Sequence, residues 1–342
     1  MIGARAPRFW SAPNSLAGTL LAPIGALIGR ITLARMGKTG ARVPATVICI
    51  GNPTVGGAGK TPTAILVLER LAARGARPFA LLRGHGGREA GPLLVAGHDA
   101  AAVGDEAVLL AAAAPTIVAR DRAAGARLAV SLGASHIVMD DGFQNPALEK
   151  DAALLVVDGE AGLGNGRVLP AGPLRAPYAA QRRRADALLV IGDGSAGDLL
   201  ARGDGLVLRG RLVPRPGGAE ALAGRRLLAF AGIGRPEKFF TSLRAIGCDL
   251  VETRAFPDHY PYTLADIQGL LERAVARDLR IVTTAKDFVR LSGPAFAEAR
   301  AHIHVLPVGL VLEQEAGLDR LIDAAEARRA ETEAALQPSS RR

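Results

Sequence analysis

The segment Gly51-Asn-Pro-Thr-Val-Gly56-Gly57-Ala58-Gly59-Lys60-Thr61 sets three glycines just ahead of a lysine and a hydroxyl residue. A polyphosphate is held by several inward-facing backbone N–H groups, which favours residues that lack Cβ and reach positive φ, then by a cation and a helix N-terminus. On this reading Thr54, Val55, Gly56, Gly57, Ala58 and Gly59 form a cradle for ATP. Lys60 reaches the β- and γ-phosphates, and the Thr61 hydroxyl ligates Mg²⁺. The strict pattern G-x-x-x-x-G-K-[ST] has glycine where this chain has Thr54. A structural glycine turn is the competing reading. The flanks favour phosphate binding, because an apolar β-branched run precedes the loop and a helical pattern follows it.

A second apolar run, His136-Ile-Val-Met-Asp140-Asp141-Gly142, ends in two aspartates. Strand ends of open α/β sheets face the ligand crevice, so one of Asp140 and Asp141 reaches Mg²⁺ while the other orients water or a side chain. In Gly104-Asp105-Glu106, Asp105 opens a helical pattern, either as an N-cap or as a general base for an acceptor hydroxyl. Two further segments spend polar residues without periodicity. Gly162 to Arg175 is a glycine- and proline-rich loop whose Arg167 and Arg175 suit phosphate oxygens. Phe256-Pro-Asp-His259-Tyr-Pro-Tyr-Thr263 carries a histidine that is either structural or catalytic.

The frame for these residues is legible from periodicity. Short β-branched runs alternate with helical patterns, the signature of βαβ units on a mostly parallel sheet flanked by helices, so the fold class is α/β and P-loop NTPase-like. The strands expected first lie at 46–50, 79–82, 116–119, 136–140, 153–157 and 187–191, with helices at 60–74, 105–114 and 121–132. Residues 192–205 read as a connector. Strands at 206–213, 227–231, 249–254, 281–284 and 303–308, with helices at 236–246 and 263–277, then imply a second, smaller α/β lobe, and 318–336 reads as a charged, alanine-rich terminal helix. The expected organisation is an N-terminal membrane-associated segment, 1–42, and a P-loop nucleotide-binding domain, 43–205. The second lobe follows at 206–330 and a polar tail at 331–342.

Composition supports a self-folding chain of 342 residues, 49% hydrophobic and 22% charged. Its two cysteines, Cys49 and Cys248, cannot form a disulfide framework, which fits a reducing compartment. The net charge is +9, and Arg5, Arg8, Arg30, Arg35, Lys38, Arg42 and Lys60 all precede the first acidic residue, Glu69. Between them Phe9 to Gly29 runs 21 residues without a charge, which favours an anionic membrane surface over nucleic acid. With 4% aromatics and no basic-aromatic patch, no nucleic-acid partner is expected. At about 100° per residue, Leu16, Leu20, Leu21, Ile24, Leu27, Ile28 and Ile31 share one arc, with Gly18, Thr19, Ala22, Gly25, Ala26 and Gly29 opposite. Such a helix is either an in-plane membrane anchor or a helix packed on the protein's own core. Pro23 and the glycines make it a poor spanning helix, and no secretory cleavage site follows it convincingly.

Taken together, these segments resemble the tetraacyldisaccharide 4'-kinase family, the lipid A 4'-kinases of Gram-negative bacteria. The matching pieces are GNPTVGGAGKTP at 51–62, GDE at 104–106, DDGFQ at 140–144, GNGRVLPAGPLR at 164–175, FAGIGRPEKFF at 230–240, FPDHYPYT at 256–263 and TTAKD at 283–287. The resemblance implies transfer of the ATP γ-phosphate to the 4'-hydroxyl of a tetraacylated glucosamine disaccharide 1-phosphate. It places the enzyme at the cytoplasmic face of the bacterial inner membrane, as a peripheral or monotopic protein. It also implies a base dyad of Asp105 and His259, a site for Asp140, Asp141 and Gln144 beside metal and phosphates, and contact of Arg175 with the transferring phosphate. His85, Asn145 and Ala58 stand where the family commonly has tyrosine, histidine and a small hydroxyl residue. Two readings from other classes are a soluble P-loop kinase or ligase acting on a polar metabolite and a nucleotide-dependent switch. Thr283 to Phe288 does not fit the guanine-reading N-K-x-D of a GTPase switch.

Overall fold

The computed structural model of the chain describes residues 6–336; Arg5 and residues 337–342 of the expected tail lie outside them. The strands are β1 (Thr46–Gly51), β2 (Pro78–Leu82), β3 (Leu93–Leu94), β4 (Thr116–Val118), β5 (His136–Asp140), β6 (Ala152–Asp158), β7 (Ala187–Ile191), β8 (Leu206–Pro214), β9 (Arg226–Ala231), β10 (Asp249–Ala255), β11 (Arg280–Thr284), β12 (Ile303–Leu306) and β13 (Val308–Leu312). They form a nine-stranded sheet of order β13-β8-β7-β6-β1-β5-β2-β4-β3 and a four-stranded sheet of order β10-β9-β11-β12. Pairing is parallel except at the two edges of the large sheet, where β13 meets β8 and β3 meets β4 antiparallel.

β1, β5 and β7 are buried along their whole length, so successive side chains enter different apolar layers. Ile48 and Ile50 of β1 enter one layer, Val47 and Cys49 the other. A sheet of this kind must be covered on both faces. Helix Lys60–Ala73 inserts Ala64, Val67, Leu68 and Leu71 into the first layer, and helix Arg122–Ser131 inserts Ala126 and Ala129 into the second.

Four expectations are corrected. Leu206–Pro214 does not open the second lobe; it pairs in parallel with β7, so the boundary expected at 205/206 falls inside one sheet. The run read as one strand over 303–308 breaks at Pro307, and β13 turns back to pair with β8. Helix Ala316–Leu336 returns with it, burying Leu318, Leu321, Ile322 and Ala325 in the first layer. The helix matches the terminal one expected at 318–336, and residues 331–336 of the expected polar tail are its last turns. The expected connector at 192–205 contains a helix, Ser195–Ala201, whose buried Gly197 lets it approach the chain at Gly159.

Helix Leu16–Met36 runs through Pro23, and its buried residues are Gly18, Gly25 and Gly29. A Cβ on Gly25 would lie 2.5 Å from Val168 O, so the fit against the 165–177 loop requires glycine. Leu16, Leu20, Ile24, Leu27 and Ile31 are all exposed. The small arc packs on the protein and the large apolar arc faces outward.

Candidate active site

β1 delivers the chain to Asn52, which is fully buried and organises the phosphate loop. Its Nδ2 donates to Gly56 O at 3.2 Å and its Oδ1 accepts from Lys60 Nζ at 3.2 Å. Gly56 and Gly59 take φ of +115° and +90°, a region that residues with Cβ seldom adopt. Thr54 needs no positive φ. It bridges Leu174 instead, while Val55 N–H donates to Pro173 O at 2.9 Å. Pairing with the 164–175 segment thus replaces the turn that the strict motif makes with glycine. Ala58 is buried and Gly57 faces open space.

Thr61 Oγ1 donates to Asp140 Oδ2 at 3.1 Å. Asp140 is buried at the end of β5, and its Oδ1 has no hydrogen-bond partner. Burial, aided by the charge of Glu106, raises this carboxyl above the ordinary range. An orphaned carboxylate oxygen beside a hydroxyl marks a site short of positive charge, which suits a divalent cation. Asp141 is clamped by Arg175, whose Nη2 donates to Oδ2 at 3.0 Å and whose Nη1 lies 3.0 Å from Oδ1. Lys60 Nζ stands 3.8 Å from the same Oδ1. Burial alone would raise the Asp141 carboxyl, but Lys60 and Arg175 outweigh it and hold it below the ordinary value. Arg175 Nε also donates to Thr54 O at 3.2 Å. Gln144 braces the loop, its Nε2 donating to Asn52 O at 3.0 Å and to Gln181 Oε1 at 2.9 Å.

Across the cleft, Gly104 caps helix Asp105–Ala111, so Asp105 is the first helical residue and not the N-cap. Its buried carboxylate accepts the Glu106 N–H on Oδ1 at 2.9 Å. Oδ2 faces the second sheet's lobe, where His259 Nδ1 lies 3.2 Å away. His259 takes φ of +56° in the loop after β10 and donates its N–H to Gly232 O at 3.1 Å. Phe256, Tyr260 and Tyr262 pack on one another around that loop, with Phe230 beneath. His85 stands edge-on to His259 with ring centroids 5.7 Å apart. The lobes meet again at Asp158, which accepts from Arg235 Nη1 at 2.7 Å and Lys238 Nζ at 2.5 Å.

Sequence reasoning passed over several of these residues. Arg290 donates to Asp105 Oδ2 from Nε at 2.8 Å and from Nη2 at 2.6 Å. Lys286 Nζ lies 3.3 Å from Glu106 Oε1 and 3.4 Å from His259 Nε2. Burial alone would raise the Asp105 carboxyl, yet the hydrogen bond from His259 and the charges of Lys286 and Arg290 hold it well below the usual carboxylate range. The available signal was the TTAKD segment, which carries Lys286 and stands three residues before Arg290 at helical spacing.

The description tetraacyldisaccharide-1-P 4'-kinase, the LpxK family, matches residues 17–327 of the chain. A tetraacyldisaccharide 4'-kinase of Azorhizobium caulinodans is 57% identical over 336 residues, covering 96% of this chain and 99% of the relative. One of Xanthobacter autotrophicus is 59% identical over 336 residues, covering 95% and 98%. The crystal structure of LpxK from Aquifex aeolicus in complex with ATP is similar with a TM-score of 0.72 at 25% identity, covering 91% of this chain and 99% of that one. Motif order, fold and full-length similarity agree: the chain belongs to the tetraacyldisaccharide 4'-kinase family.

Proposed function

We propose that this chain transfers the γ-phosphoryl group of ATP to the 4'-hydroxyl of a tetraacylated glucosamine disaccharide 1-phosphate, giving the doubly phosphorylated lipid A precursor. The observation that carries the reading is that a phosphate loop and a carboxylate–imidazole pair face each other where the two lobes meet: a Cβ on Gly234 would lie 3.8 Å from Gly57 N in the loop and 3.3 Å from Asp258 Oδ2, next to His259, which contacts Asp105. One provides a donor site, the other a proton acceptor. The N–H groups of residues 56–61 and Lys60 hold the phosphates, and Arg175 stands beside Asp141 and the loop to hold the group in transfer. Thr61 and Asp140, with Asp141 alongside, would hold Mg²⁺, which neutralises charge on the phosphate oxygens.

Asp105 and His259 act as a unit on the acceptor hydroxyl. Asp105 Oδ2 already receives two guanidinium donors and lies against His259 Nδ1, so it stays ionised, orients the ring and stabilises the imidazolium. The proton then ends on the histidine, which refines the expectation that Asp105 itself is the base. The outward leucine and isoleucine face of helix Leu16–Met36, followed by Lys38 and Arg42, lays the enzyme on anionic lipid at the cytoplasmic face of the inner membrane. The helix is long and apolar enough to cross a bilayer, but its glycine face is taken by the 165–177 loop, which favours an in-plane position.

The test is incubation of the purified protein with ATP, Mg²⁺ and the tetraacyldisaccharide 1-phosphate in detergent micelles, with lipids resolved by mass spectrometry. A doubly phosphorylated lipid is expected. ATP turnover without that product, or equal activity on a polar hydroxylated metabolite, would refute the reading.

A further inference from the structure

We infer that Arg290 is a positioning residue for the acceptor step, holding Asp105 Oδ2 in the one orientation that sets the His259 ring. This inference rests on the proposed role of the Asp105–His259 pair. Arg290 ends the helix Ala285–Arg290 that directly follows β11, the segment whose TTAKD sequence has no other task in the proposed chemistry. Its side chain is only 8% exposed and that of Asp105 only 4%. Nε and Nη2 both go to Asp105 Oδ2, and Nη1 goes to Gly232 O at 2.7 Å and Asp287 Oδ1 at 2.8 Å. Asp287 is in turn fixed by Gly232 N–H at 3.0 Å, Tyr262 Oη at 2.9 Å and Thr284 Oγ1 at 2.7 Å. The guanidinium is therefore held by its own lobe on one edge and offers the other edge to a single oxygen across the cleft. His259 hangs from the same frame, since its N–H bonds Gly232 O. One backbone carbonyl thus registers both the arginine and the histidine that meet Asp105.

Chemistry gives this arrangement a purpose beyond joining lobes. A buried ion pair contributes little net stability compared with an apolar contact of the same volume. A carboxylate pinned by a fixed guanidinium, however, can neither rotate nor readily take a proton. Were Asp105 protonated, its hydroxyl would donate toward His259 Nδ1 and select the wrong tautomer. The titratable groups around the Asp105–His259–Arg290 cluster are Glu106 on the helix of Asp105, His85 after β2 and Asp258 after β10 against His259, and Lys286 and Asp287 after β11. Without Arg290, Lys286 is left to balance four carboxylates.

The experiment compares R290M and R290K with D105N and H259A in the full-length enzyme. It measures melting temperature, KM for ATP and kcat as a function of pH. R290M should leave KM for ATP within about twofold and lower kcat about 10- to 100-fold, as loss of an orienting partner does. The acid limb of its kcat profile should move to higher pH, because removing a cation makes the pair easier to protonate. R290K keeps the charge without the fork and should restore the limb and part of kcat. In a D105N background, R290M should add less than about twofold. Wild-type kcat in R290M, a kcat loss with an unmoved acid limb, or a fully multiplicative loss with D105N would each overturn the inference. Should R290M fail to fold, R290K decides: unchanged kcat overturns the inference, and about a tenfold loss at constant ATP KM supports it. Wild-type kcat in both D105N and H259A would instead sink the dyad reading itself.

Discussion

The outward face of helix Leu16–Met36 allows a membrane prediction with a magnitude. Leu16, Leu20 and Leu27 are 75%, 70% and 59% exposed, together about two whole leucine side chains in water. Burying a leucine side chain is worth about 1.5–3 kcal/mol, so replacing all three with serine removes about 4 kcal/mol of transfer free energy. That is roughly a thousandfold in partition coefficient. Because these side chains project away from the protein, L16S/L20S/L27S should leave the melting temperature nearly unchanged. The assay is flotation with anionic phospholipid vesicles at low and high salt, beside thermal unfolding in vesicle-free buffer. The reverse perturbation is Gly25→Leu, where a Cβ would lie 2.5 Å from Val168 O. It keeps the apolar face but must unseat the helix, so the fluorescence of Trp10, whose Nε1 donates to Pro170 O at 3.1 Å, should change. A fall in vesicle partitioning of less than tenfold for the triple variant, or a clear loss of fold stability, would refute the reasoning.

Lys60→Ala should lower turnover by several orders of magnitude with an unchanged melting temperature, because it removes the cation on the transferring phosphoryl group; near-normal kcat would dismiss the loop as the ATP site. D105A and H259A should each lower kcat at nearly constant ATP affinity, and the double variant should be little worse than the more damaged single one. Steady-state kinetics on the four forms checks this, and losses that multiply remove His259 from the chemistry. Asp105 also predicts a pH effect on stability. Its carboxyl lies below its unfolded value in the folded protein, so the stability it adds is complete above about pH 4 and is lost as pH falls through the folded value. Circular dichroism in acid should therefore show D105N losing less stability than the parent between about pH 4 and pH 2.

What the sequence disclosed and what it hid follow from the range of the interactions. The phosphate loop was legible because strand, glycines, lysine and helix are contiguous and each answers a local requirement of backbone geometry. The same holds for the aspartates that end β5. By contrast, the return of β13 and helix Ala316–Leu336 to the first sheet is decided by pairing with β8 and burial against Leu208, contacts about a hundred residues apart. Local periodicity carries no trace of them. Arg290 escaped notice for a related reason. An arginine at a helix end is ordinarily a solvated charge, and only the fold brings Asp105 to it from 185 residues away. For helix Leu16–Met36 the pattern showed two faces but could not rank them, because the decisive partner, the 165–177 loop, is distant in the chain.

That loop also ties two surfaces that sequence places far apart. At one side it receives the glycine face of the N-terminal helix, together with Trp10 and the backbone carbonyl of Phe9. At the other, Pro173, Leu174 and Arg175 hydrogen-bond the phosphate loop at Pro53 to Val55. The chain between 164 and 175 is thus a short rigid spacer between the outward apolar face of the N-terminal helix and the phosphate cradle. It sets the height of the phosphoryl donor above the bilayer in the proposed orientation. With that height fixed by packed glycine and proline residues, the proposed orientation would make the enzyme a depth gauge, favouring hydroxyls presented at one level of the interface over identical hydroxyls free in solution.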